Sequence, residues 1–344
     1  GLASVAVGGN AGNTSQGSNS VAVGLNSGQT TQGSNSVAVG NSAGNNLQGV
    51  NAVAVGINSG NTSQGEFSVA VGNASGQTSQ GDFTVAVGNS TGNTSQGDFA
   101  VAVGNGAGNT DQLSNAVAVG NNAGLSNQGI KTVAIGFEAG STSQGSCGGA
   151  IGDNAGKTSQ GDDCIAIGTF AGLTRQKQRA TAIGDRAGLT DQNKFAIAIG
   201  YRAGEDTQLE RAIAIGQAAG FTDQKKTSIA IGWQAGQYNL GVGAISIGRD
   251  AALGVLDGVS PGVHYGLPVD AVAIGTSSYD ALAEKAGLVD GAGVVRTTPG
   301  LFVGTGTNVI RDPSVDVGFD ATHSLGYCST NGEVVKTAIS PSNV

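Results

Sequence analysis

Methionine is missing from this chain, and tryptophan (one), histidine (two), cysteine (three) and proline (five) are scarce. Aromatic residues make up 4% and charged residues 12% of the 344 positions, too little of the usual material for an ordinary globular core. With so little proline, and no glycine at every third place, the 61 glycines are not those of a collagen. Disorder is excluded on other grounds: mean hydropathy is −0.01, and Val, Ala and Ile recur strictly instead of being depleted. No apolar run approaches the roughly eighteen residues that would cross a membrane, so no membrane insertion is expected. Three cysteines cannot all pair within one chain and none forms a C-x-x-C, so disulfides are not the framework. Lys and Arg are absent up to Gln128, where only Glu66, Asp82, Asp98 and Asp111 carry charge. The net charge of −8 opposes phosphate, which argues against a nucleic-acid partner. The lack of an initiator Met and a signal sequence reads as a processed or trimmed chain.

What is present is a period. "SVAVGGNAGNTSQGSN", from Ser4 to Asn19, is followed at once by "SVAVGLNSGQTTQGSN". The glycine closing each V-A-V-G or A-I-G phrase falls at Gly8, Gly24, Gly40 and onward to Gly248, every interval being 16. A second glycine follows four residues later, and a glutamine eight later, from Gln16 unbroken to Gln224. One insertion would throw every later residue out of its stack, so this regularity predicts coils in mutual contact, a solenoid.

Alternation of β-branched with small residues, as at Val5, Ala6 and Val7 or Ile197, Ala198 and Ile199, predicts a short strand. Apolar bulk is expected to line the interior, which turns the small residues outward. The second arm keeps Thr and Gln at alternate places (Thr14, Gln16) while the residue between them varies from Ser15 to Asp111 and Arg175, so Thr and Gln are also assigned inward. Amides at Gln16, Gln32, Gln48, Gln64, Gln80 and Gln96 are expected to bond along the stack as a core ladder, each donating to one neighbour and accepting from the other. The outward face of Ala6, Ala22, Ala38, Ala118, Ala198 and Ala214 is too small to be a solvent face. It is assigned to contact with identical chains, most simply in a closed cyclic oligomer.

The phrases "NSVAVG", "TSIAIG" and "FAIAIG", separated by Gly-rich turns, resemble the head repeats of trimeric autotransporter adhesins, the YadA-like β-roll. The resemblance covers Ser4 to Gly248 and an isolated "AVAIG" at Ala271 to Gly275. It implies an all-β fold, a left-handed β-roll of 16-residue coils. It also implies a homotrimer around one axis that projects from a surface to bind host molecules. The uniform period with its added "TSQG" arm departs from that family, and no heptad stalk or anchor strands follow. The same repeats are similar to those of bacteriophage and large algal virus fibres, as is the ending "GLFVGTGTNVIRD" with "LGYCSTNGEV".

Three regions are expected: a solenoid over 1–248, a loop insertion with a last repeat-like strand over 249–275, and a C-terminal cap over 276–344. The cap is read with one short helix, "YDALAEKA", capped by Ser278, and with strands near Leu301 to Val303 and Val334 to Ile339. No catalytic, cofactor or metal residues are expected. His264 and His323 sit in no nucleophile motif, "GTGTNV" at Gly304 lacks the third glycine of a dinucleotide fingerprint, and Cys164 reads as a buried, unreactive thiol. The "NTS" sequons at Asn13, Asn61 and Asn93 are simply the repeat. Phe137, Tyr201 and Trp233 share the first exposed place of a turn and are the candidate contact residues for a host protein or glycan.

The function expected is a non-enzymatic structural attachment protein. It would be an extracellular fibre or adhesin rod on a virion or cell surface, with copies of itself and a host-surface protein or glycan as partners and no cofactor. A self-assembling extracellular filament and an ice-binding solenoid are the alternatives; a solenoid lyase or hydrolase is disfavoured for want of clustered carboxylates.

Overall fold

The computed structural model of the chain describes residues 1–252, 255–256, 264–265, 267, 269–275, 301–305, 308–310, 325–328 and 334–337. They belong to two compact units, Gly1–Ala180 and Thr181–Val344. In the first unit, three-residue strands from Val5–Val7 to Ile165–Ile167 pair in parallel at 16-residue steps, Val5 opposite Val21 and so on to Gly149 opposite Ile165. A second column pairs the same way, from Ser15–Gln16 to Leu47–Gln48 and from Thr78–Gln80 to Thr174–Gln176, with bridges at Gln64 joining the two runs. The unit is a parallel β-solenoid of 16-residue coils, and no helix occurs among the described residues.

Glycine and asparagine set the corners. Gly8 takes φ +131, and a Cβ there would lie 2.5 Å from the carbonyl oxygen of Gly24 in the next coil, so nothing larger fits. Asn10, Asn19, Asn26 and Asn35 take φ of 56 to 57, the left-handed region that asparagine tolerates better than other side chains.

The second unit repeats this architecture from Thr181–Ile183 to Ile245–Ile247. Val272–Ile274 then pairs with Ile245–Ile247 in register, 27 residues on instead of 16. The extra residues include a two-residue antiparallel ladder, Val255–Leu256 with His264–Tyr265. Leu301–Thr305 adds in parallel to Val272–Ile274, and Asn308–Ile310 returns antiparallel against it. Leu325–Cys328 and Val334–Thr337 form a hairpin. The helix expected at "YDALAEKA" lies outside the described residues, as does His323.

The strand faces are the reverse of the expectation. Ala22, Ala38, Ala118, Ala198 and Ala214 are 0% exposed within the single chain, so these alanines line the inside of the coil and are not an oligomer face. Ala6, in the first described coil, is exposed. Val and Ile point outward: Val5, Val7, Val87, Ile135, Ile151, Ile165, Ile167, Ile215, Ile231 and Ile274 are exposed, and their other equivalents are half-buried. Thr14 and Thr30 are exposed and Thr78, Thr94 and Thr110 half-buried, so of the second arm only the glutamine faces inward. The cause is the thinness of the coil. The amide of Gln32 crosses from one arm to donate to the carbonyl of Val21 on the other at 2.7 Å, which leaves room opposite it for a methyl and nothing more.

Candidate functional site

The interior holds amides, alanines and small hydroxyls. Gln80, Gln96, Gln112 and Gln128 are at most 3% exposed, and each donates across its own coil to a Val carbonyl at 2.9 to 3.1 Å. Packing is close on the other side of the amide as well: a Cβ on Gly28 would stand 2.8 Å from Oε1 of Gln32. Links along the stack run from Gln48 to Gln64, from Gln80 through Gln96 and Gln112 to Gln128, from Gln160 to Gln176, and in the second unit from Gln192 through Gln208 to Gln224, at 3.0 to 3.2 Å. The ladder is interrupted, since Oε1 of Gln32, Gln48, Gln80, Gln144 and Gln160 accepts no hydrogen bond. The constant bond is therefore the one across the coil, not the one along the stack. In the second unit the same column ends in Leu240 and Leu267, 0% and 1% exposed.

Outside, the two Val and Ile rows make a flat aliphatic face on the strand column. The turn that follows carries Phe137, Tyr201 and Trp233, which are 50%, 44% and 38% exposed. Two of these rings are occupied. The Arg249 guanidinium lies 4.8 Å from the centre of Trp233, and that of Arg202 lies 6.0 Å from Tyr201 and 4.6 Å from Phe221. Arg202 also pairs with the largely buried Glu205, which raises its pKa further. Phe137 belongs to the first unit and the other two to the second.

The opposite turn carries a feature that the sequence reading passed over. Phe67, Phe83 and Phe99 stack at 5.0 and 5.1 Å with rings within 4° of parallel, all about half exposed. Its sequence signal is the recurrence of "GEF", "GDF" and "GDF" at the period of 16.

No family model, curated protein or solved structure matches the chain. The remaining chemistry is spare. Among the described residues no group of three or more His, Cys, Asp or Glu converges, and no helix is long and apolar enough to cross a membrane. Cys164 is fully buried, its thiol pushed up to about 11 by desolvation, with Sγ 3.0 Å from the Lys177 carbonyl. It lies inside the coil. The sequon amides of Asn61 and Asn93 donate to the Ser42 and Ala74 carbonyls at 3.0 Å and are thereby engaged in the turn.

Proposed function

We propose that the chain is a non-enzymatic structural attachment protein, a trimeric fibre or adhesin rod of the YadA-like head type at a virion or cell surface. The observation that carries this reading is the outward aliphatic face. In the first unit about twenty Val and Ile side chains, each leaving on the order of 50 Å² uncovered, give roughly 1,000 Å² per copy, against ~800 Å² per partner in a stable interface. The face is flat and repeats every coil, so three copies can present it to one axis along the whole stack. The contact surface with other copies is thus made of valines and isoleucines, in place of the alanines first assigned to it. A host protein or glycan remains the partner, met by the turns, which are the part of each coil that varies.

Native mass of the full chain by light scattering tests the assembly. At about 300 mM salt a trimer is expected, because an apolar contact is not weakened by screening. The pair Val103→Lys and Val119→Lys is expected to give a monomer with an unchanged β signal. A parent chain that is monomeric at micromolar concentration overturns the reading.

Ice binding gains one observation, the outward Thr column at Thr78, Thr94 and Thr110, paired in register. Thermal hysteresis of the purified chain decides for or against it.

A further inference from the structure

We propose that the turn edge bearing Phe67, Phe83 and Phe99 docks onto the basic turn edge, Lys194 to Lys226, of a second copy, so that assembled fibres associate side by side. The contact goes beyond the attachment reading and uses a different part of the coil from the aliphatic strand face.

The phenylalanines occupy a place that other coils give to asparagine. Asn19, Asn35, Asn51 and Asn115 sit there with φ of 56 to 61, and Phe67, Phe83 and Phe99 hold φ of 54 to 58. A left-handed backbone disfavours a bulky side chain, and about half of each ring is left in water. Neither the turn nor the core calls for three of them in successive coils. Because the rings cover one another's faces, they present a ridge of edges and not the open faces on which a sugar ring would stack.

Beside each ring stands a carboxylate: Glu66, Asp82 and Asp98. Asp82 and Asp98 are fixed by accepting the backbone N–H of Glu66 and Asp82 at 2.8 and 3.0 Å. The ridge continues past Phe99 into a shallow hollow of about 300 Å³ lined by Gly97, Leu113, Ser114 and Ile130. The three ring-bearing coils carry no Lys or Arg, so this stretch of the edge is acidic and apolar; the first cation, Lys131, holds the same turn place two coils past Phe99.

Repeat length identifies the occupant. The rings recur every 5.0 to 5.1 Å, the spacing of stacked coils. An extended peptide presents one-sided side chains about every 6.8 Å and would lose step at once, whereas another solenoid edge keeps step. A second copy supplies such an edge with the complementary sign. On the same turn of the second unit, Lys194–Phe195, Glu210–Arg211 and Lys226–Thr227 lie in successive coils, joined by bonds from Arg211 N to Lys194 O and Thr227 N to Glu210 O at 3.0 Å. Lys194, Arg211 and Lys226 are exposed, and the Arg211 guanidinium lies 5.6 Å from the centre of Phe195. Three carboxylates and an aromatic ridge therefore face three cations, one carboxylate and one ring.

Sedimentation velocity of the full chain at about 20 mM and about 300 mM salt tests this, since screening shortens the reach of such charges. The mass at low salt is expected to be a multiple of that at high salt. Phe67→Asn, Phe83→Asn and Phe99→Asn together suit the turn, because asparagine already holds it elsewhere. They are expected to weaken low-salt association at least tenfold and leave the high-salt mass unchanged. Lys194→Glu with Lys226→Glu is expected to do the same. Equal masses at both salts, or a triple variant that associates like the parent, overturns the proposal. The high-salt mass reports separately on the trimer.

Discussion

At the scale of the residue, glutamine does what a hydrophobic core residue does elsewhere, and its amide spans the coil. Gln112 donates to the Val101 carbonyl and to Gln128 at 3.0 Å, and accepts from Gln96 at 3.1 Å. Gln112→Ala removes these bonds and opens a cavity, and is expected to cost about 2–4 kcal/mol of unfolding free energy, read from the midpoint and slope of urea unfolding. Gln112→Leu is expected to cost about half as much, because Leu240 and Leu267 already fill this column in the second unit. If leucine proves as damaging as alanine, volume is not what the column requires. The inward place of glutamine was legible because its neighbours vary from Ser79 to Asp111 to Arg175 and it does not. The Phe67, Phe83 and Phe99 ladder was legible too, by the same comparison of coils.

At the scale of the element, period-two alternation at Val117, Ala118 and Val119 separates two faces without saying which one is inside. Assigning the larger side chain inward assumes a core deep enough to hold it. In this coil depth is set by one amide reaching a carbonyl, so the methyl of Ala118 goes in and the valines go out, a reversal that only the distance between the arms reveals. Ala118→Val adds two methyl groups to a seam with no free space and is expected to destabilise the fold by about 1–3 kcal/mol, read as a lowered melting temperature. A chain in which that change is neutral would restore the first assignment of the faces. The single Thr column shows the same lesson. The residue between Thr94 and Gln96 is Ser95 at φ 56, so the arm does not alternate as a regular strand does, and Thr94 need not follow Gln96 inward.

At the scale of the whole molecule, the described coils within each unit pair with the coils before and after them, so stability accumulates coil by coil and register is the property they share. The sequence displays this register as its unbroken interval of 16, and the 27-residue step before Val272–Ile274 shows how it survives an insertion: Leu267 still occupies the amide column, and Val272 still faces Ile245. Deleting residues 101–116, one full coil, joins Ala100 to Val117 in phase and restores every neighbour relation. That variant is expected to keep the parent's β signal per residue in circular dichroism, with a slightly lower melting temperature. Deleting 101–115 instead leaves one residue too many, too short to loop out as the eleven before Val272 do, so Ala116 takes the place of Val101 and the strands that follow shift by one residue, valines into the seam and alanines out of it. Loss of cooperative unfolding is expected there. Two deletions that differ by one residue thus separate a stack held in register from a chain of independent hairpins, in which both would behave alike.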